Sequence, residues 1–129
     1  MEKVNYKFEQ LRSASARLDE ALLMPDSAIK VDAVIQRFEF TTELFWKFLK
    51  ELLESNKVEA GHFPLDVIRA AKERAILAAD EKWADLIRDR NLTSHTYNEE
   101  KAQEIYSNIK DKHAAMFREF INDYNRTRA

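Results

Sequence analysis

A single glycine and two prolines in 129 residues leave this chain almost without turn-forming material. A sandwich or barrel of short strands needs a tight turn about every eight to twelve residues, so an all-β fold is excluded. Apolar residues make up 45% of the chain and charged residues 34%, enough to bury a core and unlike a disordered composition. The length suits one domain spanning residues 1–129.

Helical periodicity organises that length. Val4, Phe8, Leu11, Ser15, Leu18 and Leu22 recur at steps of three and four, one apolar stripe on a first helix. Met24-Pro25-Asp26-Ser27 ends it, because Pro25 drives its predecessor from the helical region, and Asp26 or Ser27 suits the next cap. A second helix is predicted over about Ala28 to Ser55. Val31, Val34, Ile35, Phe38, Thr42, Phe45, Leu49 and Leu52 form one face of it; Phe40, Leu44, Trp46, Phe48 and Leu53 form another. A helix apolar on two sides must be covered on two: either it is a central core helix or its second face is a subunit interface.

Asn56 to Pro64 holds the only glycine and reads as a loop, with Pro64 suited to a first helical position. Ile68, Ala71, Ala75, Ala79, Trp83, Leu86 and Ile87 resume the period, as one helix or as two parted near Asp80. Asn91, Thr93, Ser94, Thr96 and Asn98 compete for backbone hydrogen bonds and place a turn. Thr96 and Glu99 have capping-box spacing for a last helix. Its stripe is Ala102, Ile105, Tyr106, Ile109, His113, Met116, Phe117, Phe120, Ile121 and Tyr124, and Arg126 to Ala129 is expected to fray. The sum is an all-α, up-down bundle of four helices, or five if the third is broken.

Much chemistry is excluded. Without cysteine there is no thiolate nucleophile and no cysteine-based zinc site. One glycine cannot build a phosphate-cradling loop. Glu59-Ala-Gly-His62 has di-iron spacing once, in a loop and without a second copy, and the three histidines lie far apart, so neither metal nor cofactor is expected. The 21 basic and 23 acidic residues give a net charge of −2, no case for coating DNA or an anionic membrane. No signal peptide and no run near the roughly 20 apolar residues of a membrane span is present, so a soluble cytoplasmic domain is expected. Asp85 and Asp89, four apart beside Lys82 and Arg88, read as a solvated charged face. His113 reads as a histidine at the edge of the core, and Trp46 and Trp83 as packing residues.

What remains is the segment from Arg88 to Glu99. Arginine is a permanent cation that grips phosphate, and histidine moves protons near neutral pH. Together they suffice for metal-independent RNA cleavage, the imidazole serving the attacking 2′-hydroxyl or the leaving oxygen and the guanidinium the developing phosphate charge. An arginine four to six positions before a histidine is expected roughly 0.7 times by chance in such a chain, so spacing alone decides nothing. On an unbroken helix Arg90 and His95 point about 140° apart while Arg88 and His95 nearly align. Arg90 therefore meets His95 only if the helix ends between them or if the two come from different subunits.

Arg90-Asn91-Leu92-Thr93-Ser94-His95-Thr96-Tyr97 resembles the Arg-polar-x-x-x-His-x-Tyr signature of the HEPN superfamily, specifically its nucleotidyltransferase substrate-binding branch. Val34 to Lys50 is similar to that branch's second helix, and the likeness runs from about Val4 to Tyr124. One departure is Arg74-Ala-Ile-Leu-Ala-Ala, where the branch has a Gly-Leu-Ile break before the fourth helix. The resemblance implies a four- or five-helix bundle, usually a homodimer, working beside a small separately encoded nucleotidyltransferase. It implies an RNA-cleaving toxin, with Arg90 on phosphate, His95 as general acid and base, Asn91 supporting, and Tyr97 as the residue on which the partner places AMP. Arg88 is an additional candidate phosphate contact. Two other readings stay open: a non-catalytic subunit that holds substrate for or regulates the nucleotidyltransferase, and a helical adaptor.

Overall fold

The computed structural model describes residues 1–95 and 98–128. Among these, helix α1 spans Glu2–Leu22, α2 Ala28–Ser55, α3 Pro64–Glu73, α4 Lys82–Leu92, α5 Glu99–Asn108 and α6 Ala114–Arg128, with no strand. A turn of 3-10 helix, Thr93–His95, extends α4, and a π-helical turn, Ile109–His113, joins α5 to α6 in one rod.

Contacts fix the directions. Phe8 meets Phe48, and the Arg17 carbonyl accepts from Arg37, so α1 and α2 are antiparallel. Arg118 pairs with Asp19 and Arg128 with Glu9, which sets α6 antiparallel to α1. Trp83 packs on Phe120 while Asp89 reaches His113, so α4 runs against the last rod. The result is the expected up-down bundle, its third member broken into α3 and α4. Phe8, Phe38, Phe45, Phe48 and Phe117 are fully buried at its centre.

Local chemistry explains the element ends. Ser27 caps α2, its hydroxyl accepting from the Lys30 N–H at 3.0 Å. Pro64 opens α3, where its missing N–H costs nothing. Asp80 marks the break before α4, its carboxylate accepting from the Lys82 N–H at 3.0 Å. The last rod departs from expectation at its start: Asn98 is the cap, accepting from Glu100 and Lys101, while Thr96 lies outside the described residues. At its end Arg126 to Arg128 stay helical rather than fraying, and the Arg128 guanidinium lies 4.3 Å from the centre of the Phe8 ring. Ala129 lies outside the described residues.

The π turn has a cause visible in the stripe. Ile105, Ile109, His113, Phe117 and Ile121 recur in steps of four, and in a helix of 3.6 residues per turn each step drifts by about 40°. One wider turn absorbs the drift and keeps the buried face continuous.

The second face of α2 is mostly covered within the chain, as the central core helix reading expects, and not left whole as a subunit interface. Phe48 and Leu53 are fully buried, and Leu44 and Trp46 pack partly buried against the core. Only Phe40, 58% exposed, still faces outward.

Glycine scarcity has a second consequence. Both α2 and α3 end in the Schellman pattern, with Val58 N–H on the Leu53 carbonyl (2.9 Å) and Ile76 N–H on that of Ala71 (2.9 Å). That pattern needs a left-handed residue just before the closing N–H. Glycine usually supplies it, but here it is Lys57 (φ 62°) and Ala75 (φ 60°). Ala75 falls within the Arg74-Ala-Ile-Leu-Ala-Ala departure. Ala75→Gly is expected to stabilise the fold by about 0.5–1 kcal/mol, the relieved strain exceeding the added chain entropy. Gly61→Ala should do the reverse, since Gly61 has φ 79° and a Cβ there would lie 2.9 Å from that of Asp66. Urea-denaturation midpoints check both.

Candidate functional site

Arg90 sits in the last turn of α4, its side chain only 30% exposed, with one guanidinium nitrogen 3.3 Å from the Glu43 carboxylate of α2. Its Nε is buried with no hydrogen-bond partner among the described residues. The Arg90 carbonyl accepts from the hydroxyl of buried Thr93 at 2.7 Å, which ties the end of α4 to the 3-10 turn that follows. His95 ends that turn and is exposed.

The α-helix thus stops between Arg90 and His95, but as a tightening, not a kink. A 3-10 turn rotates about 120° per residue, so the backbone sends the two side chains out about 160° apart. Arg90 lies against α2 and His95 is exposed. Asn91 is exposed, with its carbonyl accepting from Ser94 Oγ at 3.3 Å. Arg88 is 65% exposed and held by Asp85 at 2.5 Å, so its guanidinium is already engaged. Tyr97 lies outside the described residues.

Of the two acids that sequence reading set on a solvated charged face, Asp85 stays at the surface among cations and Asp89 is structural. Asp89 has a side chain only 13% exposed; it accepts from Asn108 Nδ2 at 3.1 Å and contacts His113 Nε2 at 2.6 Å. An ionised carboxylate only accepts, so the imidazole proton at this contact sits on Nε2. His113 is fully buried rather than at the core edge and stacks on Phe38, ring centres 5.3 Å apart. Asp85 binds Arg88 and, at 3.4 Å, Lys112 of the π turn.

Glu43 was missed as well. It lies inside the Val34 to Lys50 stretch, but nothing in a helical stripe says which outward carboxylate meets an arginine some fifty residues later. The only sequence signal for Asp89 was its place directly before Arg90.

The fold and this arginine–histidine segment define a HEPN-type helical bundle. The chain belongs to the family of nucleotidyltransferase substrate-binding protein-like proteins, whose pattern matches residues 6–126. It is 34% identical over 85 residues to a Haemophilus influenzae protein named "Probable ribonuclease HepT", covering 63% of this chain and 58% of that one. The chain thus spans little more than half the length of that relative. A solved crystal structure of a Thermus thermophilus protein is 38% identical and superposes with a TM-score of 0.76, covering 88% of this chain and 97% of that one.

The Arg88 hydrogen bond holds the Asp85 carboxyl below the usual carboxylate range, with Lys112 adding to the effect and partial burial opposing it. A depressed folded pKa contributes stability that is present above the unfolded value and lost as pH falls through the folded one. In carbon-detected NMR titration, Asp85 should therefore protonate at lower pH than an unfolded-chain aspartate. Arg88→Met should move its midpoint upward.

Proposed function

We propose that this protein is a metal-independent endoribonuclease subunit that pairs with a small nucleotidyltransferase and is silenced by AMP addition to Tyr97. The observation that carries the reading is Arg90, held half-buried by Glu43 at the end of α4, with exposed His95 just beyond the helix terminus. Glu43 engages one edge of the guanidinium and fixes its direction before substrate arrives, which lowers the ordering cost of gripping a phosphate. Family membership and the name of the Haemophilus relative support the reading.

In the proposed reaction the 2′-oxygen of one nucleotide attacks the adjacent phosphorus and the 5′-oxygen of the next leaves, giving a cyclic phosphate. His95 takes the hydroxyl proton or supplies one to the leaving oxygen, and Arg90 stabilises the charge that builds on phosphorus. Asn91 supports the site and Arg88, once released by Asp85, offers a second phosphate contact. The opposed directions of Arg90 and His95 along α4 favour a homodimer in which the arginine of one copy works with the histidine of its mate. Exposed Phe40, one turn before Glu43 on α2, belongs to the surface buried in that dimer. In the silencing step the Tyr97 phenol oxygen attacks the α-phosphorus of ATP, pyrophosphate leaves and the phenol proton goes to solvent. The new anionic nucleotide then blocks RNA by occupancy and repulsion.

With purified protein, His95→Ala and Arg90→Ala should each cut RNA cleavage by about a hundredfold or more with helical circular dichroism unchanged, and chelators should leave wild-type cleavage intact. Mixing the two inactive variants should restore part of the activity if each site draws on both copies. Tyr97→Phe should gain no AMP mass from ATP and the partner enzyme. Undiminished cleavage by His95→Ala would refute the nuclease assignment. Wild-type protein that cleaves no RNA yet binds the nucleotidyltransferase would support a non-catalytic subunit in its place.

A further inference from the structure

We propose that Asp89 is a positioning residue for Arg90, anchored by His113 in the π turn. The proposal rests on reading Arg90 as the phosphate-gripping side chain. Asp89 and Arg90 are consecutive on α4, so their side chains leave the helix about 100° apart. Each is held by a different neighbour: Asp89 by Asn108 and His113 of the last rod, Arg90 by Glu43 of α2. The two neighbours are joined in turn, because His113 stacks on Phe38, five residues before Glu43 on the same helix. A closed triangle of contacts thus sets the rotation of α4 about its own axis.

The polarity of the anchor is the telling feature. Apolar packing would press α4 against the last rod equally well, and a buried polar pair is by itself weak evidence of stabilisation. What a short carboxylate–imidazole hydrogen bond adds is direction. The contact at 2.6 Å holds the Asp89 carboxylate at one point, and Arg90, the next residue, inherits that constraint. Asp85, four residues earlier, cannot serve this end: its side chain is 37% exposed and its partners Arg88 and Lys112 are surface cations. The anchor also sits in a π turn, a distortion that recurs at functional sites and here belongs to the element carrying His113.

The test separates orientation from folding. Asp89→Leu with His113→Leu replaces both polar groups with apolar ones and should keep the helical fold and melting behaviour. His113→Phe, which preserves the stack on Phe38 and deletes the hydrogen bond, is the second variant if the first fails to fold. The primary readout is the Arg90 Nε–H signal in nitrogen-15 NMR, assigned by its loss in Arg90→Lys. In either variant it should shift and broaden towards that of a solvent-averaged arginine, while Asp89→Asn, which keeps an acceptor for His113, leaves it near its wild-type position. In the RNA-cleavage assay the same variants should lose about tenfold or more in kcat with KM changed less than about threefold. A folded variant with the wild-type Arg90 signal, or with wild-type kcat, overturns the proposal. If the wild-type chain cleaves no RNA, the ribonuclease reading falls, and the Arg90 signal still decides whether Asp89 positions it.

Discussion

Helix α2 is the constraint from which the rest of the bundle follows. With apolar residues on more than one side it cannot rest on a surface, and the chain answers by laying α1, α4 and the last rod around it. Phe38, Phe45 and Phe48 are fully buried, each meeting aromatic partners from other elements: His113, Trp83 and Phe117, and Phe8 and Phe120 respectively. Aromatic pairs at these separations contribute beyond their buried area and resist rotation of one helix against another. One turn of α2 also carries Glu43, so the element that organises the core also holds the arginine of the site.

Around α4 the bundle changes character from apolar to polar. Thr42 Oγ1, Trp46 Nε1, Trp83 Nε1, Arg90 Nε and His113 Nδ1 are buried without partners among the described residues, and they belong to α2, α4 and the π turn. Such atoms cost free energy wherever they are not required, so each is a departure from core economy. Arg90 Nε among them adjoins the segment whose residues favour turns over helix.

Much of this was legible in the order of residues alone. Stripes at steps of three and four gave α1 and α2 to within two residues, and Pro25, Pro64 and Asp80 marked breaks, because each acts on backbone within a few residues of itself. The Arg90 to Tyr97 segment was visible as a pattern of chemistry. What escaped depended on partners distant along the chain. Phe48 and Leu53 could be read as core or as interface, because nothing in α2 reveals which elements cover them. Asp89 read as solvated because burial of a carboxylate is decided by Asn108 and His113, not by its own helix. The four-residue steps through His113 were in plain view, but a π turn and an ordinary helix share the same apolar residues and differ only in their cumulative rotation.

That cumulative rotation makes the last rod a strict ruler. Upstream of Ile109 it is set by the end of the Arg90 to His95 segment, and downstream of His113 by α1, through Arg118 and Arg128. Removing a single amino acid between those points would let the wide turn relax to ordinary helix with both halves still in register, because the π turn holds one residue more than the α turn it replaces; adding one would swing one half of the rod about 100° against the other. Natural variants of this architecture should therefore tolerate insertions in the α2–α3 loop far more readily than insertions in these five residues.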